Sequence, residues 1–439
     1  TRIVLNDVTT GTLWLPDKNM VMVNNWDQED PTEEKEEDTP TPDQRQQVSE
    51  PERNEKNTPP IAVDDEIGIR PGRSTLLPVL DNDSDDDGDV LTARPLAEPE
   101  FGSVARTRGG RALQIADVPE EKTEGSTSFS YEASDGLAVA TATVTVTIRP
   151  WMVNEGPRQV KHPVVKLGAN AQVEYNLLSD WVDPDGDQFF LKSVTAPDGM
   201  AAQFSEDGTV QVRDLGSGAG LKSLSVTLSD GHAESVGELQ VSVQESGNVP
   251  PIARADFYVA RVGEPVTIDP VANDTDPNGD SLSLVAAGAA PAGTSVTADL
   301  SRGTLMFTGS VSGSFQFTYT VSDGPSTTMG VIRVDVVPDD STAVPVAEDD
   351  LAVLPSGGAS LIAPLANDTD PSGGVLVVQS IDVPEQSGLE VTLIERHLLR
   401  ITAPGGLSDV TSFTYTVSNG AGSATAQVSV IPTDAQSED

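Results

Sequence analysis

The chain has 439 residues, 69 of them acidic and 26 basic, for a formal net charge of −43, with three histidines and no cysteine. Charge of that density repels nucleic-acid phosphates and anionic lipid, so neither is an expected partner. The lack of cysteine removes a disulfide framework, a thiolate nucleophile and a zinc–thiolate site.

No apolar run approaches the roughly 18 residues of a membrane span, so direct membrane insertion is not expected. The chain opens at Thr1 without the charged-then-apolar profile of a signal peptide, so an export signal or anchor is expected outside it. Apolar residues make up 37% of the chain but aromatics only 4%, with 38 Gly and 32 Pro as punctuation. That balance predicts short β-strands joined by turns.

In chain order, residues 1–27 alternate apolar and polar positions (Ile3, Leu5; Leu13, Leu15; Met20, Met22), with turn residues at Thr9–Gly11 and Asp17–Asn19. They read as a small β fragment, the end of an upstream β-domain. Residues 28–57 hold 11 acids, 4 bases, Thr-Pro pairs and a single aliphatic residue, Val48. This segment has too little apolar surface to offset its ordering entropy and reads as a disordered acidic linker.

The rest is a tandem repeat. A segment of the form F/L-x-Y/V-x-x-S-D/N-G ends at Gly136, Gly231, Gly324 and Gly420, spaced 95, 93 and 96 residues apart. Asn57, Asn154, Asn248 and Thr342, each three residues before a proline, keep the same period. Within a unit the pattern is β: Ala140, Ala142, Val144, Val146 and Ile148 alternate with threonines, one wet face and one buried. Phe315, Phe317, Tyr319 and Val321, and later Phe413, Tyr415 and Val417, do the same. Seven such segments per unit predict a two-sheet sandwich with almost no helix.

Each unit also carries an Asp-rich turn. The first reads Asn82-Asp83-Ser84-Asp85-Asp86-Asp87-Gly88-Asp89, and the third Asn273-Asp274-Thr275-Asp276-Pro277-Asn278-Gly279-Asp280. The second is the variant Asp183-Pro184-Asp185-Gly186-Asp187. The fourth keeps Asn367, Asp368 and Asp370 but has Gly374 where the last Asp should stand. A turn of the form N-D-x-D-P-x-G-D-x-L, between a P-x-A-x-D-D segment and an F-x-Y-x-x-S-D-G segment, resembles the bacterial Ig-like and cadherin-like tandem repeats of large surface or secreted proteins. The resemblance spans all four units. It implies β-sandwiches, often with calcium at Asp-rich loops, in adhesins, stalks and spacer regions of secreted enzymes. The second unit departs from it, with Lys161 and His162 where the first has Asp64 and Asp65.

The expected architecture is therefore all-β: Ig-like/cadherin-like repeats over 58–150, 151–248, 249–338 and 339–433, with an acidic tail at 434–439. Short Pro-containing linkers are expected to join them into an extended rod of about 150 Å.

Elementary chemistry points to calcium independently. Ca²⁺ takes six to eight oxygen ligands at about 2.3–2.6 Å, and crowded carboxylates on a Gly turn repel one another without a cation. The candidate ligands are Asp83, Asp85, Asp87 and Asp89, with Asp65 and Asp135 completing the shell in the first repeat. In the third they are Asp274, Asp276, Asn278 and Asp280, with Asp256 and Asp323. The second offers Asp183, Asp185, Asp187 and Asp230. Ca²⁺ is expected in the first and third repeats and is an option in the second with its reduced set, and the fourth is not expected to bind. The competing reading is that Asn, Asp, Pro and Gly are simply good turn formers.

Asn82, Asn273 and Asn367 match N-x-S/T, but their confinement to one repeat position points to loop chemistry rather than glycans. His162, His232 and His397 fall at unrelated positions, and no hydrolase, zinc-protease or phosphate-loop motif occurs. No enzyme is expected. The third and fourth repeats contain no lysine, so Lys–Asn isopeptide crosslinks are impossible there. The second repeat concentrates Trp151, Trp181, Phe189 and Phe190; these serve either a sugar-binding face or, as favoured here, the core and the junction between repeats.

The function expected is a non-enzymatic structural or adhesive stalk at a cell surface. Its partner would be a protein or carbohydrate surface ligand, with homophilic contacts a further option. The alternative is a carbohydrate-binding or spacer array of a secreted enzyme.

Overall fold

The computed structural model describes residues 5–7, 12–15, 21–23, 57–245, 247–338 and 343–433. The chain divides into two units, Thr1–Ser49 and Glu50–Asp439. In the first, β1 (Leu5–Asp7), β2 (Thr12–Leu15) and β3 (Val21–Val23) form an antiparallel meander. These are the strands that the alternation of residues 1–27 predicts. The linker over 28–56 and the tail over 434–439 lie outside the described residues.

The first repeat shows how the sequence builds the sandwich. Its seven strands are β4 (Asp65–Ile69), β5 (Thr75–Leu77), β6 (Thr92–Pro95), β7 (Ser103–Thr107), β8 (Ala112–Ala116), β9 (Ser126–Ser134) and β10 (Val139–Ile148). One sheet runs β4-β10-β9-β6 and the other β5-β8-β7. The third and fourth repeats repeat this order strand for strand. The second does so with one added pair, Arg158–Gln159 against Trp181–Val182.

The alternation is realised as expected. Ala142, Val144, Val146 and Ile148 of β10 face the core while the threonines between them do not. The only helical pieces among the described residues are three-residue 3₁₀ turns such as Leu178–Asp180. Each repeat has its own core. In the third, Phe307 stacks on Phe317 with ring centroids 5.8 Å apart.

The pairing of β4 with β10 is parallel, as is that of the first and last long strands in every other repeat. Parallel first and last strands send the chain in at one end of the sandwich and out at the other, which is what lets such units be strung in tandem. The segment leading into β4 crosses the Asp-rich turn, with Ile61 bridged to Ser84. Ile252–Thr275 and Val346–Thr369 are the equivalent bridges. Linker and turn are thereby fixed together at the leading end of the repeat.

The extended rod is not the arrangement found. Within the second unit, Arg333 of the third repeat donates to the carbonyls of Val90 (2.7 Å) and Ser134 (2.8 Å) in the first. Arg108 of the first repeat pairs with Glu348 of the fourth at 2.9 Å, and Phe190 of the second packs with Val353 and Ile431 of the fourth. Linker length permits a rod, but the polar and apolar side chains on the sheet flanks find partners in non-neighbouring repeats. Periodicity within one repeat gives no information about such contacts.

Candidate metal centre

The Asp-rich turn has the same skeleton in all four repeats. The aspartate four residues before the turn's last position folds back on the chain: Asp85 Oδ1 accepts the amides of Asp87 (2.9 Å) and Asp89 (3.1 Å). Asp183 does the same for Asp185 (2.9 Å) and Asp187 (3.1 Å), and Asp276 for Asn278 (2.8 Å) and Asp280 (3.1 Å). In the fourth repeat Asp370 accepts from Ser372 and Gly374. The bend needs a left-handed residue, and Gly88, Gly186, Gly279 and Gly373 supply it with φ between 70° and 80°.

Two further segments converge on the turn. The S-D-G hairpin contributes Asp135, whose Oδ1 accepts the amides of Leu137 and Ala138 and whose Oδ2 accepts Asn57 Nδ2 at 2.7 Å. Asp230 with Asn154 and Asp323 with Asn248 repeat that bond, each at 2.8 Å. The linker backbone then donates into the turn: Thr58 N to Asp87, Glu155 N to Asp185 and Val249 N to Asn278, each at 2.6 Å. The period-keeping asparagines are thus tethers between linker and hairpin, a role that repeat spacing alone does not disclose.

The six candidate ligands of the first repeat, and the six of the third, do not form one shell. Asp65 and Asp83 lie instead around Tyr131, whose hydroxyl reaches Asp83 (2.9 Å) and the carbonyls of Val79 (2.9 Å) and Val63 (3.2 Å). Asp256 and Asp274 surround Tyr319 in the same way, and Asp350 and Asp368 surround Tyr415. Burial, and then the neighbouring Asp83, push the Asp65 carboxyl up to about 7; burial, and then Asp274, do the same to Asp256. In each pair the tyrosine hydroxyl donates to the second carboxylate, Tyr131 to Asp83 and Tyr319 to Asp274, while burial and the paired acid raise the proton affinity of the first. The candidates that face the linker are the remainder: Asp85, Asp87, Asp89 and Asp135 in the first repeat, Asp183, Asp185, Asp187 and Asp230 in the second, and Asp276, Asn278, Asp280 and Asp323 in the third.

Tyr131→Phe is expected to cost about 1–3 kcal/mol, because it removes a donor from buried oxygens without giving them water. For a repeat of this size that is a fall of about 4–8 °C in Tm per kcal/mol, readable by calorimetry. An unchanged transition would show the hydroxyl contributes nothing.

The second repeat solves the same problem differently. Val226 stands where the others have the tyrosine, opposite Gly237, and Trp181 stands where the others have the first Asp of the turn. A Cβ on Gly237 would lie 2.5 Å from the Trp181 ring, so the indole fills the space that the Asp–Tyr cluster takes elsewhere. Trp181 is 4% exposed and belongs to the core, and Phe190 is buried too. Trp151 stands at the junction, beneath the guanidiniums of Arg70 (5.1 Å) and Arg73 (5.0 Å). Neither Trp181 nor Phe190 offers the exposed platform that a sugar face requires. Asn82, Asn273 and Asn367 each donate to a backbone carbonyl 18 residues earlier, at 3.3 Å, which accounts for their conservation of position between repeats without a glycan.

The electrostatics of the turns differ. Asp276 is 6% exposed and its Oδ2 has no hydrogen-bond partner; burial pushes its carboxyl up. Asp183 is likewise buried with a bare Oδ2, and burial lifts it to about 7. In the fourth turn burial acts the same way, but donors from Ser372, Asn419 and Gly374 outweigh it and hold Asp370 below the ordinary carboxylate range. Neutral donors thus satisfy both oxygens of Asp370 in the fourth turn, whereas its third-repeat counterpart Asp276 keeps a buried oxygen unmatched. Oxygen-only donors, crowded and anionic, suit a hard divalent cation such as Ca²⁺.

Fold and sites together define a tandem array of Ig-like sandwiches with carboxylate turns at the junctions. The bacterial Ig domain matches residues 57–147, 154–243, 248–335 and 342–431, and the chain belongs to that family. Such domains are typical of extracellular or surface proteins and are generally non-catalytic. No helix among the described residues is long and apolar enough to cross a membrane. No curated protein matches the chain.

Solved structures similar to it include Drosophila N-cadherin EC1-4 (14% identity, 84% of this chain, 100% of that one, TM-score 0.24). The N-terminal four Ig domains of Dscam1 isoform 1.9 are also similar (11%, 86% and 100%, 0.27). An endo-fucoidan hydrolase of glycoside hydrolase family 107 is similar over 65% of this chain at 20% identity and TM-score 0.20, and the match spans 45% of that protein. At these TM-scores none of the likenesses carries an argument about function.

Proposed function

We propose that the chain is a non-enzymatic, surface-exposed array of bacterial Ig domains, a structural or adhesive segment whose first and third repeats bind Ca²⁺ at their leading ends. The observation that carries the calcium reading is Asp276. It is a nearly fully buried carboxylate with one oxygen spent on the turn and the other bare, in a cluster with Asn278, Asp280 and Asp323. A cation there would tie the turn, the hairpin and the tethered linker into one rigid joint, fixing how one repeat follows another. The −43 charge is then partly neutralised in use, and its remainder keeps the array soluble and away from anionic surfaces.

Isothermal titration of the chelator-stripped chain with CaCl₂ is expected to give two sites, and Asp276→Asn to remove one. Absence of binding up to millimolar calcium would end the calcium reading while leaving the array reading intact.

A further inference from the structure

The second turn already contains a cation. Arg70, the residue after β4, leaves the first repeat and enters the acidic turn of the second with 1% of its surface exposed. Its Nε donates to both oxygens of Asp187 at 3.0 Å, and one terminal nitrogen contacts Asp187 and Asp185, the latter at 3.3 Å. The same nitrogen reaches Asn154 Oδ1 at 3.0 Å, and the other donates to the carbonyls of Arg149 (3.2 Å), Pro150 (3.0 Å) and Val153 (2.8 Å).

Carboxylates, an amide oxygen and backbone carbonyls gathered around one positive centre are the donors that a calcium ion would recruit. Here the five N–H groups of a guanidinium take them. One oxygen from each of Asp183, Asp185 and Asp187 lies within 4.8 Å of the other two, the spacing of a metal cage, and the buried Asp183 Oδ2 is unpartnered.

The register assigns the role to one position. Ile69 is the end of the parallel pairing in the first repeat and Leu167 in the second, so Gly168 is the counterpart of Arg70. Asp65 and Asp256 begin the same strand in the first and third repeats, which makes Arg261 the third-repeat counterpart. Arg261 also reaches forward, donating to Ser372 O of the fourth turn at 2.8 Å. Gly168 has only a backbone amide to offer, which bonds Pro277 O of the third turn at 2.5 Å. The third turn therefore receives no guanidinium from this position.

We propose that Arg70 is the resident cation of the second turn: it occupies the place of a divalent ion, holds the first junction without metal, and its replacement by glycine opens a divalent-cation site at Asp183, Asp185 and Asp187. The proposal takes the class of ion from the calcium reading but does not depend on the first and third turns being occupied.

The test is calcium stoichiometry of the full chain by equilibrium dialysis, with CaCl₂ as the probe. Arg70→Gly, which installs the residue the second repeat has at this position, is expected to bind one more Ca²⁺ per chain than the parent. Arg70→Lys is expected to match the parent, and adding Asp185→Asn to Arg70→Gly to abolish the gain. Equal stoichiometry in parent and Arg70→Gly, with cooperative melting retained, would overturn the proposal. Should Arg70→Gly fail to fold, Asp185→Asn in the parent decides: unchanged stoichiometry supports the resident arginine, and loss of one ion overturns it. A parent that binds none and an Arg70→Gly that binds one would sink the calcium reading of the other turns and leave this proposal standing.

Discussion

Trp181→Ala is expected to destabilise the second repeat by about 3–5 kcal/mol, the cost of emptying a large aromatic site in a packed core. The ring sits over Gly237 and packs with the core that contains Leu177, Val226 and Leu239. No tyrosine is present at position 226 to occupy the vacated space, so the site collapses only partly. Thermal unfolding followed by tryptophan-independent circular dichroism is the measurement, and loss of a separate transition for the second repeat is the expected result. An unchanged melting profile would mean that the indole is not core. The same variant separates two roles for the aromatic cluster, because a sugar platform would lose ligand while keeping its stability.

Raising the pH from 5 to 7.5 is expected to loosen the fourth repeat by about 3 kcal/mol for each proton held by the Asp350–Asp368 pair, and Asp350→Asn to remove the share that Asp350 holds. Burial first, then the approach of Asp368, pushes the Asp350 carboxyl up to about 8, against the hydrogen bond from Tyr415. Burial likewise lifts Asp368 to about 7, opposed by the Glu348 amide and Tyr415. A carboxyl whose folded value lies above its ordinary 3.8 keeps its proton in the folded state when the unfolded chain has lost it. Its contribution is therefore complete below about 3.8, shrinks as the pH rises, and is gone above about 8. The slope is at most about 1.4 kcal/mol per pH unit for each proton held. Hydrogen exchange in the strand Thr411–Ser418, corrected for intrinsic rates, reports on this repeat alone. Parallel pH profiles in parent and variant would contradict the assignment.

Much of the fold was legible because sandwich strands write themselves into sequence with a period of two. The alternation at Ala142–Ile148 and Phe317–Val321 predicts both strand and face, and the structure has them so. The Asp-rich turns were legible as turns for the same local reason: Gly88 and its counterparts are the residues that tolerate left-handed backbone. What the turns hold was less legible. Asp65 and Asp83 look like two more ligands in a string of acids, yet the pleat and the Tyr131 hydroxyl send them to the core side. Val226 opposite Gly237 was the available signal that Trp181 had replaced the Asp–Tyr cluster, and it is readable only once strands are aligned between repeats.

Spacing, alternation and turn chemistry are local properties, so they are enough to specify an array of four β-sandwiches with carboxylate turns at regular intervals. Which cation answers each turn is not local. Arg70 and Asp187 are 117 residues apart in the chain, and nothing in the spacing of either distinguishes a guanidinium seat from a calcium seat. Only the tertiary structure, by running β4 parallel to β10 and directing the following residue at the next repeat, decides that the second turn has an arginine. It also decides that the third, behind Gly168, has none from that position. Electrostatic partnership depends on distance through space, and the fold sets that distance.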